Sequence, residues 1–306
     1  MKCINNKKNS YNRMGDYMNF FLKEEDSGPN VELLQSILKK IGFYNGNVDG
    51  IFGPTTKESL IRFQRNFGVT SDGIVGEDTL ARLSPYINGY TYYIVRQGDT
   101  VYRIAMRFNT SVNSIFFANN NINPNNLQIG QVIIVPFGEV VKTDISYTYS
   151  FMKSDLIALK RIYPFLQIGS IGNSVLNRPI PYVKIGNGSR QVLYNCSIHA
   201  NEWITAVLSM KFIERFAKSY VLDTNIFGYR ARNLFEQCSL YIIPMMNPDA
   251  VDLVTGYFNE NDRVFKQASI IASNYPTIPF PSGWKANIKG VDLKNYQSFS
   301  QSLVFV

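Results

Sequence analysis

One short pattern occurs twice, twenty-three residues apart, and it confines the first part of this chain to a small turn-and-helix repeat. Asp49-Gly50-Ile51-Phe52-Gly53 is followed by Thr56, and Asp72-Gly73-Ile74-Val75-Gly76 by Thr79. Each copy supplies a turn rich in Asp and Gly, an apolar pair and a helix start. Glycine admits the positive φ that such tight turns use. Upstream, Val31, Leu34, Gln35 and Leu38 recur at helical spacing. Leu60, Ile61, Phe63, Gln64 and Phe67 make a second amphipathic stretch, and Leu80 and Leu83 begin a third. The pattern predicts a compact three-helix unit over residues 28–86, preceded by a polar tail at 1–27 and followed by a short linker at 87–92.

A second unit is expected over 92–137. Tyr93 to Arg96 is strand-like and ends in the turn Gln97-Gly98-Asp99-Thr100. Val101, Ile104, Ala105 and Phe108 fit a short helix, Val112 to Asn119 a second, and Gln131 to Pro136 a returning strand. Residues 137–146 read as another linker, and a third domain is expected over 147–306. Its helix around Asp155 to Tyr163 stops at Pro164, and strand-like runs follow at 180–186, 191–198 and 239–244. A helix carrying Ile204, Val207, Leu208 and Phe212 lies between the last two, so strands alternate with a helical crossover in an α/β sheet.

The single histidine of the 306 residues, His199, closes the second strand-like run and is followed by Glu202 and Trp203. An imidazole and a carboxylate three residues apart at a strand end can reach one metal ion. Zinc accepts both donors, but a catalytic zinc normally has three protein ligands and a water. No second imidazole exists in the chain to be the third. Cys3, Cys196 and Cys238 have neither metal-ligand nor disulfide-framework spacing. Cys196 and Cys238 read as buried thiols in apolar strands, with a Cys196/His199 nucleophile pair as the sharper alternative.

The net charge of +8 favours anionic partners, including an anionic wall polymer. It is spread along the chain with no Lys/Arg block, so no nucleic-acid partner is expected. No stretch has the ~20 apolar residues of a membrane span, and no secretory signal is visible near the N-terminus. The expected location is therefore the cytoplasm or the wall of a cell or spore, reached from inside a mother cell or after lysis.

Three resemblances follow from these motifs. Leu34-Gln35, the two Asp-Gly-x-x-Gly turns and Phe63-Gln64 resemble the small peptidoglycan-binding domain of bacterial wall hydrolases. Gly98-Asp99-Thr100, Ile104-Ala105, Leu127, Gly130-Gln131 and Pro136 resemble a LysM domain, of β-α-α-β plan. That resemblance implies a shallow groove for N-acetylglucosamine polymers between Gly98, Asp99, Thr100 and Val101 on one side and Asn125, Leu127, Gln128 and Ile129 on the other. Asp99 and Thr100 are equally good helix caps.

Tyr163-Pro164, Ile171-Gly172-Asn173-Ser174, Arg178-Pro179-Ile180, His199 to Trp203, Met246-Asn247-Pro248-Asp249 and Gly290-Val291-Asp292-Leu293 together resemble the zinc carboxypeptidase family over about 147–295. Combined with a LysM module, the plan is similar to bacterial γ-D-glutamyl-diamino-acid peptidases, which cut peptidoglycan stem peptides. The resemblance implies a mixed sheet flanked by helices and one zinc ion with His199 and Glu202 as its first two ligands. It also implies a zinc-bound water as nucleophile, and an oxyanion role near Lys285.

The family's third zinc ligand and general base lie further downstream, and neither is assignable here. Lys294 stands where the family has Asn, and residues 297–306 match nothing in it. The domain therefore reads as the N-terminal part of a carboxypeptidase, a truncated or frame-shifted copy. Glu260, Asp262 and Asp292 have no tie to the site in the sequence. Two functions stay open: a wall-directed metallopeptidase with impaired catalysis, and a non-catalytic wall-binding protein.

Overall fold

The computed structural model describes residues 21–120, 122–123 and 126–296. The repeat folds as three helices, α1 (Pro29–Lys40), α2 (Pro54–Phe67) and α3 (Glu77–Asn88). Two glutamines explain why the pattern recurs. Gln35 Nε2 donates to Asp49 Oδ1, the Ile51 carbonyl and Thr56 Oγ1, while its Oε1 accepts from the Asp49 and Gly50 N–H groups. Gln64 repeats the arrangement with Asp72, Ile74, Thr79 and Gly73. Both amides are fully buried, so each turn is tied to a helix through one side chain. Only the first glycine of each pattern needs the left-handed region: Gly50 has φ 70° and Gly73 φ 74°, whereas Gly53 and Gly76 are extended.

The expected tail is corrected at its end. Leu22 is buried and bridges to Val75, and Ser27 bridges to Ile51, so residues 22–27 belong to this unit. The expected linker at 87–92 is absent, because Gly89 alone separates α3 from the next strand. A Cβ on Gly89 would stand 2.9 Å from the Gly138 carbonyl oxygen, and its φ is 73°.

The second unit has the expected β-α-α-β order. It comprises β1 (Tyr90–Ile94), α4 (Val101–Arg107), α5 (Val112–Ala118) and β2 (Val132–Pro136). β1 and β2 pair antiparallel from Tyr90 opposite Pro136 to Ile94 opposite Val132. Thr100 and Ser111 cap the two helices, accepting from the Arg103 and Ser114 N–H groups.

The third unit starts with α6 (Tyr149–Ile162), β3 (Gln167–Asn173), β4 (Pro179–Ile185) and β5 (Arg190–Asn195). A 3₁₀ turn (Ala200–Glu202) leads into α7 (Ile204–Leu222). After it come β6 (Asn225–Ile226), β7 (Tyr229–Arg230), α8 (Ala231–Gln237), β8 (Cys238–Ile243), α9 (Pro248–Val254) and α10 (Arg263–Ala272), and a 3₁₀ turn spans Leu293–Tyr296. The main sheet has the order β3-β4-β8-β5; its first two pairings are antiparallel and β8 with β5 is parallel. This is the mixed sheet flanked by helices that the sequence implied. β3 was not expected: it is largely exposed and interrupted by Gly169 and Gly172, so it carries no apolar run.

The expected linker at 137–146 is also corrected. Val140, Val141 and Ile145 are buried in one continuous core that joins the three-helix unit to α6 and α7. The LysM-like unit keeps its own core, around Ile104, Ile115 and Ile133. Among the described residues no helix is long and apolar enough to cross a membrane.

Candidate functional site

β5 and β8 run parallel and end together, with the Cys196 N–H donating to the Ile243 carbonyl. The chain then crosses from both strand ends into one knot of loops. The Met246 and Asn247 N–H groups donate to the Cys196 and Ser197 carbonyls. Asn247 is buried, and its Nδ2 donates to the carbonyls of Ile198 and Ala286. The Ala200 and Asn201 N–H groups donate to the Lys285 and Trp284 carbonyls. Ser197 takes φ 51°, a left-handed bend that costs a non-glycine residue about 1 kcal/mol. Its N–H is held by Thr205 Oγ1. Ligand sites of open α/β sheets lie at this carboxyl end of the strands.

His199 and Glu202 meet there. His199 Nδ1 is 2.8 Å from Glu202 Oε1, and His199 Nε2 is 3.6 Å from Asp292 Oδ1. Asp292 is thus tied to the histidine, which corrects the expectation that no downstream acid is. The clue was its place in the Gly290-Val291-Asp292-Leu293 motif; only folding brings that segment back beside the strand end. Carboxylates thus stand on both sides of the imidazole, with Glu202 within hydrogen-bond distance of Nδ1 and Asp292 slightly beyond it at Nε2. Glu260 and Asp262 do not join the cluster; Asp262 accepts from the Asn259 N–H near the start of α10.

This donor set fits zinc only in part. Nδ1 and Oε1 are suitable donors, and they converge. Among the described residues no group of three or more His, Cys, Asp or Glu could hold a metal ion. Two donors fall short of the three protein ligands of a catalytic zinc. Lys285 has its backbone in the site and an exposed side chain. Cys196 and Cys238 are half-buried rather than fully buried. Burial pushes the Cys196 thiol up, the opposite of an activated thiolate.

In the LysM-like unit the two groove loops are neighbours. The Gly130 N–H donates to the Val95 carbonyl, and the Val95 N–H to the Gln131 carbonyl. Gly98, Thr100, Gln128 and Ile129 are exposed along this edge. Leu127 is partly buried against the unit's core. Val101 is 4% exposed and belongs to that core, so its side chain does not face solvent. The Asp99 carboxylate is likewise committed internally. It accepts from Tyr93 Oη and the Arg96 N–H, with Arg107 alongside. Burial alone would raise its pKa, but these donors hold it below the ordinary value. Asn125 lies outside the described residues.

The fold defines a three-module chain: a three-helix unit, a β-α-α-β unit and a mixed-sheet domain flanked by helices. Residues 27–83 match the peptidoglycan binding domain family, 93–136 the LysM domain and 152–299 the zinc carboxypeptidase family. The chain is 42% identical over 255 residues to Gamma-D-glutamyl-L-diamino acid endopeptidase 1 of Lysinibacillus sphaericus, covering 66% of this chain and 64% of that protein. It is 34% identical over 149 residues to the protein YqgT of Bacillus subtilis, covering 48% of this chain and 39% of that one. A spore cortex-lytic enzyme of Oceanobacillus iheyensis is 40% identical over 70 residues, 23% of this chain and 25% of the enzyme. The chain therefore spans less than two thirds of the length of each of these relatives.

Proposed function

We propose that this chain binds peptidoglycan through its first two modules and presents a carboxypeptidase-type domain to the wall without appreciably cutting it. The glycan contact falls on the LysM edge formed by Gly98, Asp99, Thr100 and Val101 with Leu127, Gln128 and Ile129, and Asn125 is proposed for it from the sequence alone. Val101 and Asp99 contribute backbone there, since their side chains are engaged inside the unit. Backbone amides and short polar groups suit an acetamido sugar, and the exposed Ile129 suits its methyl group. The stem-peptide chemistry would be that of γ-D-glutamyl-L-diamino acid bonds, by likeness to the Lysinibacillus endopeptidase.

The observation that carries this reading is the juxtaposition of two wall-binding modules with a two-donor half-site. His199 and Glu202 would hold zinc, and zinc would supply an activated water. The residues present hold the imidazole, Glu202 at 2.8 Å from Nδ1 and Asp292 at 3.6 Å from Nε2. Sedimentation with purified sacculi tests the binding, and hydrolysis of a γ-D-Glu-diaminopimelate stem peptide with and without added zinc tests the rest. Expected are co-sedimentation unchanged by His199→Ala, and no turnover above the buffer rate. Zinc-dependent turnover abolished by His199→Ala would establish the alternative, an active metallopeptidase, which the placement of His199 and Glu202 side by side at the strand end favours.

A further inference from the structure

A cleft of about 750 Å³ opens between the LysM unit and the carboxypeptidase-type domain, and its lining includes none of the residues of the two sites above. Ala118 and Ile134 wall it from the LysM side, and Ile168, Pro179 and Pro181 from the β3–β4 hairpin. α6 forms its floor. Its volume lies in the ~300–1,000 Å³ range of small-ligand pockets. The lining carries three cations, Lys153, Lys160 and Arg161, and no acid. Together with Ile157 they fall at helical spacing on one face of α6. Lys160 is fixed by donating to the Pro164 and Leu166 carbonyls, so its charge is held in place. Burial lowers the Lys153 pKa. Ile157 remains 45% exposed and Ile168 38%.

We infer that this cleft binds the carboxylate-bearing stem peptide of peptidoglycan, an inference that rests on the wall-binding reading. A cationic face set among apolar walls matches a short peptide with small side chains and free carboxylates. A phosphate polymer would satisfy the charges but leave the isoleucines and prolines unused. Reach is adequate: Ile134 in the cleft wall is five residues from Ile129 at the LysM edge, no more than ~18 Å of chain. A stem of about five extended residues covers a similar span. Glycan held at the LysM edge thus raises the effective concentration of its own stem at the cleft.

The test is titration of the full chain with three probes: a peptide-free N-acetylglucosamine oligomer, a muropeptide of equal glycan length, and polyglycerol phosphate. Wild type is expected to bind the muropeptide about ten-fold more tightly than the peptide-free oligomer. Ile157→Glu and Lys153→Glu, each at a position where a helix accepts Glu readily, are expected to erase that ratio. Affinity for the peptide-free oligomer should stay unchanged, which reports folding in the same experiment. A ratio that survives both substitutions overturns the proposal, as does displacement of the muropeptide by polyglycerol phosphate. Peptide-free glycan bound without preference for stems removes the cleft alone. Failure to bind either the peptide-free glycan or sacculi removes the wall-binding reading itself.

Discussion

Gln35 and Gln64 are the residues on which the first module turns. Each buried amide satisfies backbone groups of a loop that contributes little apolar area of its own. Replacing Gln35 with Leu keeps the volume roughly constant but leaves the Asp49 and Gly50 N–H groups without their acceptor, Gly50 being buried, while the Ile51 carbonyl keeps the Gly53 N–H. At about 1–3 kcal/mol for a buried polar group left unpaired, the loss expected is of that order. Urea denaturation of the Gln35→Leu protein should show it as a lower midpoint. Gln64→Leu should match it in size, because the second hub repeats the first. Equal stability of variant and wild type would mean that water replaces the amide. The Asp of each turn belongs to the same hub. Backbone N–H donation from Ile51 to Asp49 and from Ile74 to Asp72 holds both carboxyls below their ordinary pKa.

Among the elements, β5 is an exposed edge strand that carries large apolar side chains into solvent at its end. Among the described residues it pairs with β8 alone, and its Leu193 and Tyr194 are 43% and 55% exposed. Ile204 and Leu208 of α7 are exposed as well. An open apolar strand edge is a template for pairing with another chain. Sedimentation velocity at rising protein concentration is expected to show self-association that Leu193→Lys reduces, and a monodisperse wild type would contradict this. Much of this layer was legible in the sequence. The two-fold pattern located α1 to α3, and the apolar runs located β4, β5 and β8, because buried strands and amphipathic helices leave a periodic trace. β3 left none, since an exposed glycine-interrupted edge strand needs no apolar period. The linkers misled for a different reason. Val140, Val141 and Ile145 are too few and too irregularly spaced to show periodicity, yet they bury completely once α3 and α7 close over them. The same limit hid Asp292. Its motif was visible, but contact with His199 depends on the 284–286 segment pairing with the turn after β5.

At the scale of the whole molecule the buried junction makes the peptidoglycan-binding and carboxypeptidase-type units one body. Lys142, almost fully buried, donates to the carbonyls of Ile87, Glu139 and Val140. The Val140 N–H donates to Glu214 of α7, and Ser36 of α1 donates to Asp144. Asp155 of α6 accepts from Tyr147 Oη at 2.6 Å in the same interior. Desolvation pushes Asp155 up to about 7 from an ordinary 3.8, against the opposing pull of Lys142 and the Tyr147 hydrogen bond. The folded state therefore holds this proton more tightly than the unfolded chain does. The resulting stabilisation is complete below about pH 4 and is lost as pH rises through about 7. Asp252, pushed up to about 6 by desolvation despite Arg178, adds a smaller contribution of the same sign below that pH. In Asp155→Asn the first contribution disappears, because the amide does not titrate while its oxygen still accepts from Tyr147. Calorimetric melting of both proteins across about pH 4 to pH 7 is expected to show the variant gaining on wild type as pH rises. A constant difference in Tm over that range would mean that water reaches Asp155 and that the junction is not a dry, shared core.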